Sequence, residues 1–173
     1  MWLILHRLGE RDRALYERWA LPVLGRARVC RIWTVITHLG GTTSSVLLAT
    51  APMLAGGDLA AAARLSFQTL AISHLLVQLV KRTVGRPRPS MADASAALVG
   101  EPDRFSFPSG HSAAAMSVAF GYGVTYPMLA PLFVSGALLV GFSRICLRVH
   151  YPGDVLIGQL LAVGTGVGLL IVR

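Results

Sequence analysis

Four stretches of this chain carry no Asp, Glu, Lys or Arg: 32–57, 65–80, 112–143 and 155–172. A helix needs about 20 apolar residues to cross a bilayer core of about 30 Å, and backbone left unpaired in lipid is costly. Runs of this kind therefore fold as spanning helices. The charges are segregated between the runs, and at 14% they fall below the roughly 25% usual in soluble domains. The expected fold is all-α, a polytopic helical bundle forming one membrane-embedded domain over residues 1–173.

As a single helix, 112–143 would be about 48 Å long, too much for one crossing. Tyr126-Pro127 and Ala130-Pro131 break it. Five spans are predicted, at 32–55, 59–80, 109–126, 129–147 and 154–172. Gly56-Gly57-Asp58 reads as the turn between the first two. Arg64 is expected to snorkel to an interface, because 65–80 alone is short. Glycine, alanine and serine recur in the first, third and fifth spans, which suits close helix packing. His38 and His74 lie inside spans. Each is a functional candidate by position, but packing against a neighbouring helix is the favoured reading for both.

Residues 1–31 hold seven arginines with Glu10, Asp12 and Glu17, interleaved with Trp2, Leu3, Leu5, Leu8, Leu15, Tyr16 and Trp19. This pattern predicts an amphipathic helix lying in the membrane interface; a disordered basic leader is the plainer alternative. Arg7 to Arg13 interrupt the apolar start too early for a cleavable signal peptide. Cys30 and Cys146 make no disulfide framework. The net charge of +8 comes from cations at span ends, where anionic headgroups or an anionic substrate would be met, so no nucleic acid is expected as a partner.

Three polar clusters interrupt the spans. The first runs from Lys81, the chain's one lysine, through Arg82 and Arg86 to Arg88-Pro89. Cations this dense repel one another unless an anion or acidic groups sit among them. The second is Phe107-Pro108-Ser109-Gly110-His111, opening the third span at a helix N-terminus, where unpaired N–H groups favour phosphate. The third runs from Ser143-Arg144 to His150 and Asp154. Alternation of five spans puts all three on one membrane face. Between the first two, the loop 90–107 reads as a short interfacial helix or a lid.

His150 and Asp154 share a face if helical, and the Pro152-Gly153 turn alternatively sets Asp154 at the start of the last helix. Either way the carboxylate can fix the tautomer of the imidazole. With His111 there are two histidines, enough to separate nucleophile from acid. Lys81, Arg88 and Arg144 suit the oxygens of a transferring phosphoryl group. His111, His150 and Asp154 could instead be metal ligands, but the cations around them would repel a divalent ion.

On these residues the chain resembles the type 2 phosphatidic acid phosphatase family, membrane lipid phosphatases with a haloperoxidase-like site. All three of that family's motifs are present: a lysine, six residues and Arg-Pro (Lys81, Arg88-Pro89); Pro-Ser-Gly-His (Pro108 to His111); and Ser-Arg, five residues, His, three residues and Asp (Ser143-Arg144, His150, Asp154). The resemblance implies that His150 takes the phosphoryl group, Asp154 orients it, and His111 protonates the leaving oxygen and then activates water. Lys81, Arg88, Ser109, Gly110 and Arg144 would hold the phosphate, with no metal or other cofactor. The implied partners are a lipid phosphate or pyrophosphate, of the phosphatidic acid, phosphatidylglycerol phosphate or polyprenyl (pyro)phosphate type, and the bilayer, with no protein partner required. A phosphotransferase that passes the group to another lipid is the alternative, and a non-catalytic lipid-binding protein is a further one. The family's usual site lies on the periplasmic side of the inner membrane. The cations argue the other way, since all sixteen except Arg64 and Arg173 fall on the motif face, the face that the positive-inside rule makes cytoplasmic. The periplasmic face remains the expectation.

Overall fold

The structure, a computed structural model, describes residues 2–21, 27–92, 97–100 and 103–172. Every regular element among them is helical. The amphipathic leader forms α1 (Trp2–Trp19), followed by α2 (Ala27–Leu39) and α3 (Thr42–Thr50) with a 3-10 turn at Ala51–Ala55. α4 (Gly57–Val84) leads to a one-turn α5 (Pro89–Ala92), then α6 (Gly110–Thr125), a 3-10 turn at Pro127–Leu129, α7 (Ala130–Cys146) and α8 (Pro152–Ile171). Among the described residues, three helical stretches are long and apolar enough to cross a membrane: Gly57–Val84, Pro127–Cys146 and Pro152–Ile171. They coincide with three of the five predicted spans. α6 coincides with a fourth, but its 16 residues make only about 24 Å.

The helix ends follow from local chemistry. Gly56 and Gly57 both have positive φ, as the turn before α4 requires. Gly85 closes α4 in the left-handed region and donates its N–H to the Lys81 carbonyl at 3.0 Å. α6 stops before Tyr126-Pro127, where proline has no N–H to continue the ladder.

The predicted span 32–55 is not one helix. The chain breaks at Gly40-Gly41, whose N–H groups turn back to the carbonyls of Thr37 and His38 at 3.1 and 3.0 Å. Gly41 is extended and starts α3. The break has a packing cause: a Cβ on Gly40 would lie 2.5 Å from Val140 Cγ1 and 2.8 Å from the His111 carbonyl. Side chains are thus removed where α6 and α7 press closest. His38 is exposed beside this break rather than buried against a neighbouring helix.

α6 is the central helix and packs against α4, α7 and α8. Its small residues allow this. A Cβ on Gly121 would come within 2.5 Å of the Ser66 nitrogen of α4. Around it Ala115, Met116, Ala119, Ala137, Val140 and Ala162 form the main buried cluster. Polar groups inside are paired helix to helix, as hydrocarbon demands: Ser73 with Ser117 at 2.9 Å, and the Tyr122 hydroxyl with the Leu48 carbonyl at 2.8 Å. Leu75, Leu132 and Leu156 face outward, where lipid would cover them.

α1 does not stand apart from the bundle. Tyr16 is buried with Ile145, Tyr151 and Val155, its ring edge-on to Tyr151 at 5.2 Å. Trp19 meets Phe142 in the same manner at 5.7 Å. The leader therefore docks at the end of the bundle where the three motifs meet.

Candidate active site

α7 ends in a Schellman motif: Arg148 N–H bonds the Ile145 carbonyl at 3.0 Å and Val149 N–H bonds the Arg144 carbonyl at 3.1 Å. Arg148 takes the left-handed position, φ 66°, that glycine usually fills. This turn sends the chain back under α7 and buries His150 completely before Pro152 starts α8. Asp154 sits in the first turn of α8, where its Oδ2 accepts the Tyr151 N–H at 2.9 Å. Of the two geometries open to His150 and Asp154, the structure adopts the turn.

The other two motifs lock onto this one. Ser109 caps α6, its hydroxyl 3.4 Å from Ser112 N and 2.8 Å from Ser112 Oγ. Its own N–H bonds the Asp154 carbonyl at 2.9 Å. A Cβ on Gly158 would lie 2.5 Å from the Ser109 carbonyl, so only glycine lets α8 approach this loop. Arg88, buried, spans the site with three bonds: Nε to the Asp103 carbonyl at 2.8 Å, Nη1 to the Val149 carbonyl at 2.9 Å and Nη2 to Asp103 Oδ1 at 3.0 Å.

Arg88 Nη1 also lies 3.3 Å from His150 Nε2. A guanidinium can only donate, so Nε2 is the unprotonated nitrogen and its lone pair points toward the cations. The other nitrogen, Nδ1, stands 3.5 Å from Asp154 Oδ2. Burial first, then Arg144, Arg88 and Lys81, push this imidazole well below its ordinary 6.5. The ring is neutral without any base to deprotonate it.

A cavity of about 580 Å³ opens onto this group. Five of the eight sequence-predicted site residues line it: Lys81, Arg88, Gly110, His111 and His150. Ser109, Arg144 and Asp154 are buried and outside that lining, with Arg144 Nη1 bonded to the Thr37 hydroxyl at 2.8 Å. Away from the cations the wall turns apolar, through Val46, Phe67, Leu70 and Ala71.

Three acidic residues partner the cations; of these the sequence reading named only Asp154 as a site residue, and as a partner of His150 rather than of a cation. Asp103, in the loop before the second motif, takes Lys81 Nζ at 2.7 Å and Arg88 Nη2 at 3.0 Å. Burial opposes its charge, but Lys81 and then Arg88 hold it below the ordinary carboxylate range. Asp154 Oδ1 takes Arg86 Nη1 at 2.8 Å, and Asp12 of α1 takes the same nitrogen at 2.8 Å. Although burial disfavours the Arg86 charge, Asp154 and Asp12 raise its pKa above the usual value. Arg86 also stacks 4.1 Å over the Tyr151 ring. The signal was the crowding of cations, which demanded anions without saying which. Of the loop 90–107, residues 93–96 and 101–102, with Asp93 and Glu101, lie outside the described residues. The rest of it contributes α5 and the Asp103 arm over the cations.

The comparisons with known proteins agree with this arrangement. A family model for the PAP2 superfamily matches residues 62–173. A lipid A 1-phosphatase of Rhizobium johnstonii is 34% identical over 109 residues, 60% of this chain and 44% of that protein. A decaprenylphosphoryl-5-phosphoribose phosphatase of Mycolicibacterium smegmatis is 41% identical over 90 residues, 50% of this chain and 47% of the relative. The chain thus spans about half the length of the curated relatives it matches. The crystal structure of a PAP2 type phosphatidylglycerolphosphate phosphatase from Bacillus subtilis superposes with a TM-score of 0.70 at 26% identity, over 96% of this chain and 88% of that one. Aquifex aeolicus LpxE shares the fold, with a TM-score of 0.74 at 22% identity over 93% of each chain. With the family model covering residues 62–173 and a membrane helical bundle beneath it, the chain belongs to the PAP2 superfamily.

Proposed function

We propose that this protein is an integral membrane phosphatase that removes a terminal phosphate from a lipid phosphate or pyrophosphate by way of a phosphohistidine. The observation that carries the reading is the pairing of Arg88 with the unprotonated Nε2 of a buried, neutral His150, at the wall of a cavity that is cationic at one end and apolar at the other. Phosphate oxygens displace Arg88 from the histidine and take its guanidinium together with Lys81 and the N–H end of α6 at Gly110. The lone pair of Nε2 is then directed at phosphorus.

In the first step the N–P bond forms as the P–O bond to the lipid breaks, and His111 supplies the proton to the leaving oxygen. In the second, His111 takes a proton from water, whose oxygen attacks phosphorus and releases His150. Arg144 supplies charge from behind the site, and Asp154 holds the loop that presents the ring. Positioning and charge stabilisation account for most of what this reaction requires. The candidate substrates are those of the relatives: a lipid A, a polyprenyl-linked phosphoribose phosphate or a phosphatidylglycerolphosphate. The periplasmic face of the inner membrane is the proposed location of the site.

Phosphate release by the detergent-purified protein from these lipids tests the reading, with and without EDTA and beside His150→Ala. EDTA-resistant release that disappears in the variant, with acid-labile label trapped on the wild-type protein from a radiolabelled lipid phosphate, is the expected result. Release that survives the substitution overturns the assigned nucleophile. Label recovered on a second lipid rather than as free phosphate would identify a phosphotransferase.

A further inference from the structure

The cavity continues past the cations along one face of α4. Phe67, Leu70, Ala71, His74, Gln78 and Lys81 all line it, at the three- and four-residue spacing of a single helical face. Lys81 marks the phosphate end. At 1.5 Å per residue Gln78 lies about 4.5 Å along the helix from it and His74 about 10 Å, with the hydrocarbon-lined part beyond. Polarity along this face therefore runs from cation to hydrogen-bonding pair to apolar wall.

A polar pair at that depth needs a reason, because polar side chains within spans are costly and collect along ligand paths. His74 and Gln78 are in contact through Nε2 and Nε2 at 3.3 Å. An amide nitrogen only donates, so the histidine accepts. That leaves the amide oxygen of Gln78 and Nδ1 of His74 without a hydrogen bond among the described residues. Ser45 of α3 lines the same cavity, and its hydroxyl, 1% exposed by residue, has no partner among the described residues. A lipid whose phosphate is attached directly to a prenyl chain would lay hydrocarbon against these three groups and leave them unpaired, the kind of mismatch that polar sites reject most strongly.

We infer that Ser45, His74 and Gln78 form a subsite for a hydroxylated unit lying between the phosphate and the hydrocarbon of the substrate, a sugar or a glycerol. The inference rests on the phosphatase reading of the site and narrows its substrate class.

The test is a ratio of rates. Phosphate release is measured on four lipids: a polyprenyl monophosphate, phosphatidic acid, phosphatidylglycerolphosphate and a polyprenyl-linked sugar phosphate. The proteins are the wild type, His74→Leu, Gln78→Leu and His74→Gln. The wild type should prefer the two lipids with a hydroxylated unit. Each leucine variant should lower kcat/KM for these, relative to the polyprenyl monophosphate, by about tenfold and through KM, the size of one lost hydrogen bond. His74→Gln, which keeps a hydrogen-bonding end at that level, should retain more of the ratio than His74→Leu. The hydroxylated lipid that loses more in the leucine variants distinguishes a sugar from a glycerol. If His74→Leu does not fold, Gln78→Leu and Ser45→Ala carry the same comparison. A ratio unchanged in the leucine variants, with the wild type active, overturns the subsite alone. A wild type inactive on all four lipids overturns the phosphatase reading and the subsite with it.

Discussion

Arg86 donates from Nη1 to Asp154 Oδ1 at 2.8 Å, joining two residues 68 positions apart. The carboxylate is fully buried and the guanidinium only partly so, which makes Arg86 the group that neutralises the last motif. Arg86→Gln should leave Asp154 as an uncompensated buried charge, at a cost of about 3 kcal/mol. For a chain of this size that corresponds to a fall of about 6 °C or more in Tm, readable by thermal denaturation in detergent. A Tm within a degree of wild type would mean that the pair carries no net stability.

The same guanidinium nitrogen binds Asp12, and Asp12 Oδ1 also accepts the Gly153 N–H at 2.7 Å. Asp12→Ala and Arg86→Gln should therefore be non-additive. In a double-mutant cycle the coupling should reach about 1 kcal/mol or more. Purely additive losses would show that α1 is held through the bond from the Gly153 N–H to Asp12 and through the aromatic contacts, with nothing from Arg86.

Asp103 occupies the cations that a phosphate would use. In Asp103→Asn that competing charge is gone, so inorganic phosphate and vanadate should inhibit more tightly, by about tenfold, while Tm falls because Lys81 and Arg88 lose their counter-charge. Weaker inhibition would instead make Asp103 a residue that positions the cations for the substrate. Because its folded pKa is depressed, the stabilisation from Asp103 is present above the unfolded value, near 3.8, and is lost as pH falls through the folded one.

His150 should not titrate in the working range. Its folded pKa lies well below 6.5, so below pH 6.5 the unfolded chain binds the proton that the folded chain refuses. Stability from this group is thus present above 6.5 and declines as pH falls. Formation of the phosphoenzyme, followed by rapid quench between about pH 6 and 8, should show no loss attributable to a nucleophile with an ordinary histidine pKa. A sigmoidal loss of the burst centred near 6.5 in that experiment would contradict the buried neutral ring.

Gly158→Ala places a methyl where the Ser109 carbonyl lies 2.5 Å away. The Ser109 loop must move, and with it Gly110 and His111. A loss of kcat of about a hundredfold, larger than the accompanying loss of stability would suggest, is the expected outcome, since a displacement of about 1 Å at a reacting group costs that much. Activity near wild type would show that α8 rather than the loop gives way.

The motifs and the helical class were legible because each is written locally. Charge-free runs mark spans, and Lys81, Pro108 to His111 and His150 stand at fixed spacings. The break at Gly40-Gly41 was not legible, because its cause is the approach of Val140 and the His111 carbonyl, which are distant in sequence. The partners of the cations were hidden for the same reason. Nothing near Asp12 or Asp103 distinguishes them from Glu10 or Glu101 until the fold brings Arg86 and Lys81 to them. Asp154 was expected to serve the histidine, yet the structure gives its oxygens to Arg86 and the Tyr151 N–H, with the imidazole at 3.5 Å. His74 was read as packing, and only the cavity shows that it borders open space.

The seating of Asp12 on the Gly153 N–H fixes a matter of compartments. α1 and the loop that carries His150 lie on the same side of the bilayer, so whichever aqueous phase receives one receives the other. A single-cysteine variant at Arg11, which is exposed on α1, then serves as a topological marker for the site. Labelling of intact cells with a membrane-impermeant thiol reagent, with Cys30 and Cys146 replaced, would assign the chemistry to one side of the membrane without any substrate in hand.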